Sequence, residues 1–396
     1  MLRNRSPFRS GLMVLMLACV TGAVHAQTSL DPELETYLSK YELPALAAAV
    51  VQDGKIIAAG AVGTRRAGAN IPVTLDDRFH LGSDTKAMTA LLAAMLVEQG
   101  KLRWDSTVAE VFPELGEKAD AGFLRVTLEQ LLSHTSGIPS DNQAIFDLWA
   151  KSVFEDGNLD EQRYWVMKEW GGSKQPLESA SGSRFAYANM GYLTAGAMIE
   201  RTTGRTWDEL MTERIFIPLD LKTAGLGQQM SLGKIDAPLS HEILNGKIKA
   251  FLGGPDADGP PVIGPAGIAH MSVLDFARWA GWNAGEGKRG PALVRPETMK
   301  KLHTPVIGMP VKEDAAPGTP SRGRYGLGWG QLDVEWATMP LLYHGGSNGK
   351  NLAHIWIEPG RDFAMVVVTN IAGKNANDAL FALAPVLYKK FAGSRK

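Results

Sequence analysis

Two hairpin signatures near opposite ends of the chain constrain its fold more than anything between them. Leu46-Ala47-Ala48-Ala49-Val50-Val51-Gln52, the turn Asp53-Gly54 and Lys55-Ile56-Ile57-Ala58-Ala59-Gly60 read as two antiparallel strands, since Asp-Gly supplies the backbone a tight hairpin turn needs. Toward the other end, Ala353-His354-Ile355-Trp356-Ile357 and Ala364-Met365-Val366-Val367-Val368-Thr369 flank Pro359-Gly360-Arg361-Asp362, and the spacing predicts a terminal helix over Ala376 to Phe391. The simplest assembly is an antiparallel sheet with helices on its faces, a mixed α/β (α+β) class.

The middle of the chain reads differently. Thr127 with Gln130, Thr206 with Glu209 and Ser272 with Asp275 have the spacing of helix-start boxes, in which a hydroxyl and a side chain three residues on satisfy free backbone N–H groups. Loops there are rich in glycine and proline, notably Gly253-Gly254-Pro255 and Gly259-Pro260-Pro261. The expected organisation is a discontinuous α/β domain of residues 27–100 and 266–396 with a mainly helical subdomain, 101–265, inserted between its parts.

Residues 1–26 read as an export signal and are set apart from the fold. Arg3, Arg5 and Arg9 precede the apolar run Leu12 to Ala18, and Val24-His25-Ala26 is a small-residue cleavage site. The run is shorter than the roughly 20 apolar residues a spanning helix needs, so no transmembrane helix is expected in the mature chain, which is expected to be periplasmic or secreted. The alternative is a lipoprotein anchored through Cys19, although Met16 and Leu17 fit the small-residue lipobox poorly. Cys19 is the only cysteine, so the mature chain is expected to hold no disulfide and no thiol nucleophile. With 41 basic and 42 acidic residues, and no basic run interleaved with aromatics, nucleic acid is not an expected partner.

Chemistry enters with Ser-x-x-Lys, which occurs three times: Ser83–Lys86, Ser231–Lys234 and Ser347–Lys350. A serine and a lysine three apart face each other on a helix. Only after Ser83 does a helical stripe follow, Met88, Leu91, Leu92, Met95 and Leu96, with Gly100 as a stop. Ser83 would then sit at a helix N-terminus, where free N–H groups favour a developing oxyanion. Its hydroxyl needs a base, and Lys86 serves only if desolvation or a nearby positive group lowers its pKa. The bland alternative is an N-cap serine with a solvated lysine.

Two further elements stand out. Tyr187-Ala188-Asn189 precedes an apolar-periodic stretch with Tyr192, Leu193 and Ile199; Tyr187 is suited to relaying protons and Asn189 to bonding Lys86 or a substrate amide. His344-Gly345-Gly346-Ser347 precedes the second hairpin. Its glycines allow close approach of a substrate backbone, and the Ser347 N–H is a second candidate oxyanion donor. Taken singly, these also read as a core aromatic before a helix cap and as a Gly-rich turn.

In the order Ser-x-x-Lys, Tyr-x-Asn, His-Gly-Gly, the three motifs resemble those of the penicillin-recognising serine hydrolases: class C β-lactamases, D,D-carboxypeptidases, D-amino-acid peptidases and the family VIII-like esterases. Leu131-Leu132-Ser133-His134-Thr135-Ser136-Gly137, Pro265-Ala266-Gly267 and Pro359 through Asn370 are also similar to recurrent segments of that superfamily. The resemblance implies a β-lactamase/transpeptidase-like fold, Ser83 as the acylated nucleophile, Lys86 and Tyr187 as the proton-transfer pair, and Asn189, His344, Gly345, Gly346 and Ser347 as substrate-binding or oxyanion residues. It implies no cofactor and no metal, and a small ester, a D-peptide or a β-lactam as substrate. Most β-lactamases of the superfamily carry Lys-Thr-Gly where this chain has His344-Gly345-Gly346. A mostly neutral histidine is a poor anchor for a substrate carboxylate, so ester or D-peptide hydrolysis is expected ahead of class C-like β-lactam turnover, with a non-catalytic penicillin-binding or regulatory role as a further alternative.

Other readings fall short on spacing. Gly345-Gly346-Ser347-Asn348-Gly349 matches a nucleophile elbow but lacks an acid and then a histidine after it. His241-Glu242 lacks the second histidine of a zinc site. Gly326-Leu327-Gly328-Trp329-Gly330 does not complete a dinucleotide fingerprint and reads as a strand with small residues, while His134 and His270 read as structural histidines.

Overall fold

The computed structural model describes residues 27–319 and 321–392; the proposed export signal and Cys19 lie outside them. A nine-stranded sheet runs in the order Thr28–Ser29, Lys55–Gly63, Ala45–Gln52, Phe363–Thr369, Leu352–Glu358, Leu341–Ser347, Gly330–Leu332, Gly323–Tyr325, Ile307–Met309. Every neighbouring pair is antiparallel except the first. The two predicted hairpins meet at its centre, where Phe363–Thr369 pairs along Ala45–Gln52 with Val366 opposite Ala49.

Those central strands look like unbroken apolar runs because both faces of the sheet are covered. Along Ala45–Gln52, Ala45, Ala47, Ala49 and Val51 face one core, while Leu46, Ala48 and Val50 face another. The second core is closed by the terminal helix Lys374–Phe391 through Leu380, Leu383 and Leu387. The first takes the helix Val273–Ala284, and an added Cβ on Gly281 would stand only 2.8 Å from Val51 Cγ1. Alanine-rich strands and that glycine let helix and sheet approach closely.

The helix Thr85–Glu98 is buried without a break from Thr85 to Leu96. An apolar stripe predicts one buried face; here the remaining positions are small or polar residues that fit the interior, so the helix is central rather than peripheral. Between residues 101 and 265 lie most of the other helices, with Thr127–Gln130 forming a reciprocal capping box and the Thr206 hydroxyl accepting from the Glu209 N–H, while beyond that stretch the Ser272 hydroxyl accepts from the Asp275 N–H. The stretch 101–265 also holds an unforeseen hairpin, Ser240–Leu244 with Lys247–Phe251, turning at Asn245-Gly246. A small sheet pairs Ala269–Ser272 with Arg78–His80 on one side and Gly225–Leu226 on the other. Gly326 to Trp329 form a turn rather than the expected strand: Gly328 has φ 79° and an added Cβ would lie 2.7 Å from Ala87 Cα, so the chain must bend to pass over the central helix. Among the described residues no helix is long and apolar enough to cross a membrane.

Arg163 ties the helices together. Fully buried, it pairs with Glu200 and, at 2.8 Å, with Asp208, and its Nε donates to the Val262 carbonyl at 3.1 Å. Removing one partner of a buried pair strands the other in a poorly solvating medium, which costs about 3–5 kcal/mol. Arg163→Met is therefore expected to lower the unfolding free energy by about that amount in urea denaturation, against little change for exposed Arg103→Met.

Candidate active site

A short 3-10 turn, Gly82–Asp84, leads into the central helix and carries Ser83, the one residue from Leu81 to Leu96 outside Met95 that is not almost fully covered. The turn is fixed from three sides. Gly82 N–H donates to His80 Nδ1 at 3.0 Å, the Thr85 hydroxyl donates to Gly82 O at 2.7 Å, and Leu81 N–H donates to Ala269 O at 2.9 Å. Lys86, wholly buried, reaches back along the turn: its Nζ lies 3.0 Å from Ser83 Oγ, 2.6 Å from Asn189 Oδ1 and 2.8 Å from the Ala266 carbonyl. Burial pulls the Lys86 pKa down to about 7, with the negative charges of Asp141 and then Asp84 resisting the fall.

Asn189 opens the helix Asn189–Thr203. Its Nδ2 and backbone N–H donate to the Asp141 carboxylate, which turns its Oδ1 toward Lys86. Tyr187 is held through its neighbours: Ala186 N–H donates to the His134 carbonyl at 2.8 Å and Ala188 N–H donates to His134 Nδ1 at 3.1 Å. The His134 ring packs on that of Tyr187, centroids 4.3 Å apart. His134 makes both contacts at φ 58°, a left-handed backbone unusual outside glycine. Burial lifts the Tyr187 pKa well above 10, offset in part by the adjacent Ser83 hydroxyl, although the two hydroxyls do not meet in a regular hydrogen bond. Lys86 Nζ sits 4.7 Å from the Tyr187 ring centroid.

The strand Leu341–Ser347 supplies the other wall. An added Cβ on Gly346 would lie 1.9 Å from Leu81 O and 2.6 Å from Ser83 N, and one on Gly82 would lie 2.3 Å from Ser347 N. Backbone meets backbone here, which brings the Ser83 and Ser347 amides side by side. Gly345 faces the other way, toward Tyr343 and Gly318. His344 is fully buried instead of open to the cleft. Its Nε2 lies 2.9 Å from the Tyr325 hydroxyl, its Nδ1 2.8 Å from Gly345 O and 3.6 Å from Asp84 Oδ1. Burial and the nearby Lys86 hold its pKa at about 3, so the imidazole is neutral. Asp84, equally buried, has no hydrogen-bond donor on either oxygen, and burial raises its pKa well above the usual carboxylate range.

The other two Ser-x-x-Lys copies are built differently. The Ser231 hydroxyl donates to Asp236 at 2.6 Å. The Ser347 hydroxyl donates to Asn351 O at 2.8 Å while Lys350 Nζ lies over the Phe251 ring.

The Beta-lactamase family model matches residues 30–385. The chain belongs to the β-lactamase family. It is 29% identical over 347 residues to penicillin-binding protein 4 of Amycolatopsis lactamdurans, covering 84% of this chain and 82% of that protein. Among solved structures, it resembles the octameric penicillin-binding protein homologue of Pyrococcus abyssi with a TM-score of 0.71 at 24% identity, covering 90% of this chain and 77% of the other. It also resembles a D-stereospecific amidohydrolase from Streptomyces sp., TM-score 0.66 at 22% identity, covering 91% and 97%. The protein is thus a β-lactamase-fold serine hydrolase.

Of the residues singled out in the sequence, Ser83, Lys86, Tyr187, Asn189, Gly346 and Ser347 converge in this β-lactamase-fold site, whereas His344 lies behind the wall. Sequence reasoning missed Asp141, Asp84 and Tyr325, and it missed the positioning contacts of His134. A left-handed non-glycine residue leaves no trace in the sequence. The glycine contact gives a direct test: Gly346→Ala must displace the Ser83 turn, and its fluorophosphonate labelling rate is expected to fall by at least ~100-fold, on the scale of losing an oxyanion donor, in protein whose melting shows it still folded.

Proposed function

We propose that Ser83 is the nucleophile of an acyl-enzyme pathway in which Lys86 is the base, acting on a small ester or a D-amino-acid amide or peptide. The observation that carries this reading is the partner set of Lys86. Asn189 Oδ1, oriented by Asp141, and the Ala266 carbonyl are permanent acceptors, and they take the two N–H groups of a neutral amine. Its lone pair is then left for Ser83, whose hydroxyl is the one partner able to donate. A pKa of about 7 keeps that neutral state well populated near neutral pH.

The Ser83 proton passes to Lys86 as Oγ attacks the substrate carbonyl carbon. Charge developing on the carbonyl oxygen meets the adjacent Ser83 and Ser347 N–H groups. Lys86, now an ammonium with three acceptors around it, returns a proton by way of the neutral Tyr187 hydroxyl to the departing alcohol or amine. Water attacks the acyl group with the roles reversed. A tyrosinate base is disfavoured because burial keeps the Tyr187 hydroxyl protonated.

The neutral, buried His344 offers no cation to a substrate carboxylate, which favours esters and D-amino-acid amides over β-lactams. The Arg-flanked apolar run and Val24-His25-Ala26 site support export of the mature chain.

A fluorophosphonate adduct is expected by intact mass and should vanish in Ser83→Ala; an adduct that persists there would overturn the assignment. The kcat/KM for a 4-nitrophenyl ester is expected to rise with pH through an apparent pKa near 7, since protonated Lys86 has no lone pair. Asp141 holds that pKa up, so in Asp141→Asn the acid limb should move to lower pH while the plateau falls. Turnover of nitrocefin far above that of esters would reverse the substrate order.

A further inference from the structure

An apolar cleft of about 950 Å³ opens between the helix Gln143–Ser152 and the Gly254 to Pro261 loop. Phe146, Trp149, Val153, Phe154, Leu232 and Ile268 line it. Four of these large side chains are exposed, Phe154 at 86% and Leu232 at 77%, with Phe146 and Val153 beside them. Its only carboxylate, that of Asp258, is already engaged by His80 Nε2 at 3.0 Å and by Asn348 Nδ2 at 2.9 Å. The cleft therefore presents apolar surface with no uncommitted charge.

Its walls are tied to the candidate site through neighbouring residues. Ile268 stands in the segment whose Ala266 carbonyl accepts from Lys86 and whose Gly267 would, with an added Cβ, lie 3.6 Å from Ser83 N. Asp258 is tied to Asn348, the residue after Ser347, and through His80 to the Gly82 N–H. The helix carrying Phe146 and Trp149 begins just after Asp141, which orients Asn189. Neither Ser83 nor its partners line the cleft, which lies beside the site and not within it.

Resting on the Ser83 reading above, we propose that this cleft is the acyl subsite and that it selects uncharged, extended apolar acyl groups, medium to long aliphatic chains in preference to acetyl or to charged acyl groups. Its volume is at the large end of the range for small-molecule sites. Each methylene withdrawn from water is worth ~0.8 kcal/mol, or about fourfold in kcat/KM while the chain still finds wall.

The test is a series of 4-nitrophenyl esters from acetate to decanoate, kept below their micelle concentrations, with the full mature protein and with Val153→Arg and Leu232→Arg, both at exposed positions outside the reacting groups. The expected result is kcat/KM rising by about fourfold per methylene over the first several carbons, with both variants losing the rise while their acetate values stay within about twofold. A flat profile in the parent protein, or variants that lower acetate and octanoate equally, would overturn the subsite. So would a profile unchanged in the variants together with a dimer-to-monomer shift by size-exclusion chromatography, which would make the cleft a self-association surface. Fluorophosphonate labelling in the same samples separates the two claims: labelled Ser83 with a flat profile removes the acyl subsite alone, whereas unlabelled Ser83 removes the hydrolase assignment as well.

Discussion

Lys86 is a buried amine whose three polar partners come from three separate stretches of chain, and the structure is arranged around satisfying it. An unpaired cation in such an interior would cost several kcal/mol. The fold meets that cost by bringing Ser83 from its own turn, Asn189 from the start of the helix Asn189–Thr203 and the Ala266 carbonyl from the segment before the strand Ala269–Ser272. Two of the three can only accept. That asymmetry, more than the depressed pKa by itself, supports the proposal that Lys86 takes the Ser83 proton.

The groups around Lys86 divide into carboxylates that oppose its loss of charge, although burial raises the Asp141 pKa too, and rings kept neutral. Asp141 sets the Asn189 amide and supplies the largest opposing charge. On the other side, His344, Tyr325 and His134 form a layer in which burial keeps the imidazoles and the phenol uncharged. Its work is positional: His134 grips the backbone on both sides of Tyr187, and His344 and Tyr325 lie behind the strand whose Gly346 touches the Ser83 turn. Gly82 and Gly346 are required there because backbone, not side chain, occupies the space where a Cβ would stand.

Much of this was legible in the sequence where local rules decide. The Asp53-Gly54 hairpin, the terminal hairpin and the helix after Ser83 follow from turn chemistry and periodicity. The Asn245-Gly246 turn carried an equally strong signal, but its flanks are short and partly charged, so the hairpin stayed hidden. Asp141 gave no signal because nothing local ties an exposed-looking loop aspartate to an asparagine 48 residues later. His344 was readable as a motif and not as a buried residue, since burial there comes from Tyr325 and Asp84, which the fold delivers from distant positions. Gly326 to Trp329 misled because glycine suits a close-packed strand and a tight turn alike.

The central claim is that Lys86 is an amine at working pH. It is tested most directly by NMR titration of the protein labelled with [ε-13C]lysine, with the Lys86 signal assigned by its loss in Lys86→Arg. The account predicts one lysine resonance moving with a midpoint near pH 7, and shifting to lower pH in Asp141→Asn. A Lys86 resonance that titrates near 10 with the exposed lysines would contradict it.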